Sequence, residues 1–121
     1  MENGATKFNF NKMRDKARLE HIQNAIERIN NYTASLSEHD FLTNTMAQDA
    51  VLYQFSIIGE AIVHVDDEIL QCYDYPWYAV RAFRNYIAHE YFGINLSKVW
   101  NTVKINLPEL EETIASIILN L

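Results

Sequence analysis

An all-α fold, an antiparallel four-helix bundle with short extra helices, is what this sequence predicts. Apolar residues recur at spacings of three and four over long stretches, the signature of helices with one buried face. Chain breakers are scarce: 121 residues hold three Gly and two Pro, too few for a turn-rich β architecture. Apolar residues make up 49% of the chain, enough for one core but not for two domains. A single domain over residues 12–121 is therefore expected, preceded by a polar, flexible stretch over residues 1–11.

The first helix is expected from Lys12 to Leu36, where Leu19, Ile22, Ile26 and Ile29 form one stripe. Ser37 is a capping-type residue, and Phe41 and Leu42 read as a short turn of helix behind it. A second long helix is expected from Thr45 to Val65. Met46, Ala50, Tyr53, Ile57 and Ala61 lie on one side, with Val51, Phe55, Ile58 and Ile62 beside them. Such breadth of apolar surface predicts contacts on two sides. Gly59 inside this helix reads as a place where another helix comes close.

Asp66-Asp67-Glu68 suits the start of a short helix, where acids favour the dipole. A third long helix should run from Pro76, as a first-turn proline, to Phe92, with Gly93 as its stop. Asn95 or Ser97 can cap a fourth, and Pro108 should kink it or break it in two.

The lone Cys72 cannot form an internal disulfide and is expected to be partly buried. His21, His39 and His64 show no metal-ligand pattern, so no cofactor or metal is expected. No apolar run is long enough to span a bilayer, and no signal peptide is visible, so the expected location is cytoplasmic. The net charge of −6 argues against a nonspecific nucleic-acid coat. Its distribution is uneven. Residues 1–31 carry +2, residues 32–75 carry −8 with no Lys or Arg, residues 76–106 carry +3 and residues 107–121 carry −3. An anionic substrate would be drawn to the first and third segments. The acidic middle is either a solvated face or a dock for a basic partner.

The third helix concentrates the chemistry. With about 100° between successive residues, Arg84, Arg81, Asn85 and His89 fall on one arc roughly 140° wide. Phe83, Ala79, Tyr86, Val80 and Ile87 fall on the opposite, core-facing arc. This set suits RNA cleavage without a metal. Histidine can exchange protons near neutral pH, and the planar fork of arginine can hold a phosphate as charge builds. Candidate catalytic residues are Arg84, His89 and Asn85. Arg81 and Glu60 are candidate supporting contacts. A capping histidine beside a surface arginine is the alternative on these residues alone.

The segment Arg84-Asn85-Tyr86-Ile87-Ala88-His89-Glu90-Tyr91 resembles the Arg, four residues, His, one residue, Tyr signature of the HepT-like branch of HEPN proteins. Gln48-Asp49-Ala50-Val51, Ile57-Ile58-Gly59-Glu60-Ala61, Pro76-Trp77, Val99-Trp100 and Asn106-Leu107-Pro108-Glu109-Leu110 are similar to that family's pattern too. The resemblance covers roughly residues 12–118. It departs at Ala82-Phe83, where the family commonly has Gly-Met, and at Ile62-Val63-His64, where it commonly has a Lys.

What the resemblance implies is a homodimer whose paired signature helices form a composite RNA-cleaving cleft, with Arg84 and His89 as the catalytic pair. It also implies the toxin half of a toxin–antitoxin pair. The partner would be an MntA-type nucleotidyltransferase antitoxin that uses ATP and can place AMP on Tyr91. The alternative is a non-catalytic HEPN subunit that binds a nucleotide or docks a nucleotidyltransferase.

Overall fold

The computed structural model describes residues 4–90 and 92–121, with side chains from residue 11 onward, and every regular element among them is helical. Helix α1 (Gly4–Thr33) buries Leu19, Ile22, Ile26 and Ile29 completely. It begins earlier than its apolar stripe does, because residues 4–11 continue the same helix. It stops at Thr33, whose hydroxyl donates back to the Ile29 carbonyl (2.9 Å), so Leu36 lies beyond its end.

Ser37 then caps α2 (Glu38–Leu42) through a reciprocal box. Asp40 N–H donates to Ser37 Oγ, and Ser37 N–H donates to Asp40 Oδ2, both at 3.1 Å. The latter backbone bond holds the Asp40 carboxyl below its ordinary pKa. The helix fixes Phe41, which is fully buried and lies 5.5 Å, centroid to centroid, from Trp100.

Asn44 caps α3 (Thr45–Val63), which ends two residues before Val65. Of its two apolar stripes, Val51, Phe55, Ile58 and Ile62 enter the core. The other is uncovered at Met46 (79% exposed) and Tyr53 (65%), while Ala50 and Ile57 are partly buried and Ala61 is buried. Asp66 caps the short α4 (Asp67–Leu70) through the Glu68 N–H, and Trp77 Nε1 donates to the Leu70 carbonyl at 2.8 Å. Cys72 is exposed rather than partly buried, because α4 is only one turn long and leaves it at the surface.

Helix α5 (Trp77–His89) starts with Pro76 as its N-cap and ends three residues short of Phe92. Glu90 is the C-cap, and Gly93 does not adopt a positive φ, so the glycine is not the left-handed stop that its position implied. Ala79 is exposed and Phe83 and Tyr86 are only partly buried, contrary to the wheel. The reason is that α5 packs chiefly on α3, leaving its other flank over an open groove.

Asn95 caps α6 (Leu96–Asn101) by accepting from Lys98 N–H at 3.1 Å. A π-helical turn over Thr102–Asn106 leads into α7 (Leu107–Asn120). Leu107 N–H bonds to the Thr102 carbonyl, five residues back, and Pro108 stands in the first turn of α7. The proline has no N–H to give, and the wider turn absorbs the mismatch without ending the helical path. Leu107, Leu110, Ile114 and Ile117 of α7 then close the core against α1.

Among the described residues, no helix is long and apolar enough to cross a membrane.

Candidate active site

The position of Arg84 is set by a glycine. Gly59 of α3 faces α5 so closely that an added Cβ would collide with Cβ and Cγ of Arg84. The absence of a side chain lets the root of the arginine lie against the backbone of α3. The next residue, Glu60, forms an ion pair with Arg84 Nη2, while Arg84 Nη1 donates to Asn85 Oδ1 at 3.0 Å. The guanidinium is thus held from both sides and oriented.

The strength of that hold is modest. The Arg84 and Glu60 side chains are 35% and 52% exposed, and an ion pair so hydrated contributes at most about 1 kcal/mol. Arginine has five N–H donors in one plane. The pair therefore steers the fork while leaving donors and energy for an incoming phosphate to share or displace it.

His89 ends the same helix. It is exposed and makes no hydrogen bond or ion pair with any described residue. An unengaged imidazole can take or give a proton. The two are not equivalent in placement: Arg84 is drawn onto the α3 flank, whereas Asn85 and His89 stand on the solvent side of α5.

Arg81, one turn earlier, is diverted. Its Nη2 pairs with Asp67 Oδ1 of α4 at 2.9 Å, away from the Glu60–Arg84 pair. Tyr91 lies outside the described residues. Tyr86 is engaged instead: its hydroxyl accepts the Asn95 N–H at 2.8 Å, and Lys98 Nζ lies 4.5 Å from its ring centre. Lys98 was not singled out in the sequence, and only its spacing from the signature helix in three dimensions brings it there.

The flank of α5 away from Arg84 borders a groove of about 400 Å³. Phe55, Phe83, Tyr75 and Leu110 line it, with Lys98 and Glu109 at its edge. Burial raises the Tyr75 hydroxyl above its ordinary pKa, and the nearby Glu109 charge adds to the effect. No group of three or more His, Cys, Asp or Glu among the described residues could hold a metal ion.

A family model described as "Ribonuclease HepT-like" matches residues 22–117. The chain is 39% identical over 103 residues to a Methanocaldococcus jannaschii protein named "Gamma-glutamylcyclotransferase and putative RNase". That match covers 84% of this chain but 46% of the relative, so the chain spans less than half of that protein. It is 34% identical to the "Probable ribonuclease HepT" of Thermococcus cleftensis, covering 77% of this chain and 86% of the relative. No solved structure gives a significant match.

Proposed function

This chain belongs to the ribonuclease HepT-like family, and on that premise we propose that it is a metal-independent endoribonuclease acting through Arg84 and His89. The observation that carries this reading is the guanidinium of Arg84, oriented by Glu60 and Asn85 on the same helix as an unengaged His89.

In the proposed reaction a ribose 2′-oxygen attacks the adjacent phosphorus and the P–O5′ bond breaks. The 2′-hydroxyl gives up its proton and the leaving 5′-oxygen gains one, with no net redox change. His89 handles a proton at one of these oxygens, and Arg84 neutralises the charge that builds on the phosphoryl oxygens. Asn85 acts by holding Arg84 in place. The products are a 2′,3′-cyclic phosphate and a 5′-hydroxyl.

One histidine supplies one acid or base, so a second copy is a natural source of the other. The uncovered part of the α3 stripe, with Met46 and Tyr53, runs toward Glu60 on the same side of that helix. Two chains meeting there would bury the stripe and bring both Arg84–His89 sets together. Purified protein incubated with total RNA in excess EDTA should cleave it and leave cyclic or 3′-phosphate ends. In light scattering the same sample should show twice the chain mass. Activity that vanishes in EDTA and returns with magnesium sinks the mechanism, and a monomeric mass sinks the composite site.

The signature resemblance also supports a toxin–antitoxin role with an MntA-type nucleotidyltransferase that uses ATP. AMP on Tyr91 would add a phosphate near Arg84 and fill the cleft with adenosine. Because the Tyr86 hydroxyl already accepts the Asn95 N–H, the modification is expected on Tyr91 rather than Tyr86. Intact-mass and fragment spectra after incubation with antitoxin and ATP should place one AMP there. AMP on another residue, with Tyr91→Phe still neutralised, overturns the switch.

A further inference from the structure

A second cleft, of about 530 Å³, opens where the early part of α1, the α4 turn and the end of α7 meet. Its walls mix two chemistries. Asp15, Asp66 and Glu68 supply carboxylates, while Ile69, Ile117 and Leu121 supply apolar surface.

Asp15 is the member that ordinary folding does not explain. It continues the stripe of Leu19, Ile22, Ile26 and Ile29 one turn earlier, at a register where an apolar side chain would pack. It is 1% exposed. Its Oδ1 is the only buried side-chain polar atom among the described residues without a hydrogen-bond partner. A carboxylate oxygen removed from water and left unpaired is destabilising, so an external cation that pairs with it would gain that lost interaction. Lys12 also lines the cleft, yet it forms no ion pair with Asp15.

The form of the cation follows from the walls. A metal ion needs several oxygen donors converging on one point, and no such group of three is present among the described residues. An alkylammonium needs few acceptors, and its methylenes suit isoleucine and leucine walls. Asp66 and Glu68 provide a second anionic locus for a second ammonium. We propose that this cleft binds an aliphatic di- or polyamine, with one ammonium donating to Asp15 and another held by Asp66 and Glu68.

Putrescine and spermidine are the probes, titrated calorimetrically into the full chain at near-physiological salt. One saturable site per chain is expected, absent when sodium chloride of equal ionic strength is added instead. Asp15→Asn, which keeps the shape and removes the charge, should weaken binding by at least about tenfold. Glu68 is exposed and its side chain forms no hydrogen bond or ion pair with a described residue, so Glu68→Gln should fold normally and weaken binding severalfold. If Asp15→Asn does not fold, Glu68→Gln decides. No saturable site in the wild type, or unchanged affinity in a folded variant of either residue, overturns the proposal. So does a site that takes magnesium in preference to both amines.

Discussion

His89→Ala is expected to lower RNA cleavage by about 10²–10⁴-fold, the usual contribution of a positioned proton-transfer group. The fold should not notice the change. His89 is exposed and bonded to no described residue, so stability should stay within about 0.5 kcal/mol of the wild type. Arg84→Ala should cost activity on the scale of one lost transition-state donor, about 10²–10³-fold. Arg84→Lys separates charge from geometry. Lysine keeps the cation but not the planar fork that Glu60 and Asn85 orient from two sides, so it should restore little. Single-turnover cleavage of a short RNA, with thermal melts of each variant alongside, provides the comparison. Full activity in His89→Ala would assign proton transfer elsewhere. Full activity in Arg84→Lys would mean that charge alone suffices.

The sequence was legible wherever one element decides its own fate. Leu19, Ile22, Ile26 and Ile29 share a face whatever they meet, and the structure buries all of them. Ser37 and Asp40 are three residues apart and close their capping box locally. Asp66 and Asn95 cap for the same reason. The close approach at Gly59 was legible as well, because a glycine inside a long apolar helix has few other uses.

What was not legible depends on neighbours. A wheel drawn for α5 places Arg84, Arg81, Asn85 and His89 on one arc, but α3 pulls Arg84 onto its own flank and α4 takes Arg81 through Asp67. The same wheel assigns Ala79 to the core, yet the groove beside α5 leaves it exposed. Gly93 looks like a helix stop, although the helix ends at His89 with Glu90 as its C-cap and Gly93 has no positive φ. The orphaned oxygen of Asp15 could not be read from its position, since a charged residue near the start of a helix is normally solvated.

Gly59→Ala should destabilise the protein and disable it, against the ordinary trend. In a helix interior that substitution normally adds about 1 kcal/mol of stability. Here the new methyl would overlap Cβ and Cγ of Arg84, and no rotamer change can move the Cβ. Helices α3 and α5 must separate, and overpacking of this kind costs about 1–3 kcal/mol. The net effect should be a loss of up to about 2 kcal/mol, seen as a melting temperature several degrees lower. Activity should fall further than stability. A displacement of Arg84 by about 1 Å loosens its alignment with the phosphate, and misplacement of that size can cost about 10²-fold. Arg84→Gly removes the clashing atoms and supplies the control. Combined with Gly59→Ala it should recover more stability than the separate effects predict, a coupling that a double-mutant cycle reads directly, while cleavage stays absent for want of the guanidinium. If Gly59→Ala melts at or above the wild-type temperature and cleaves RNA normally, α5 does not rest on Gly59, and the seating of Arg84 described above is wrong.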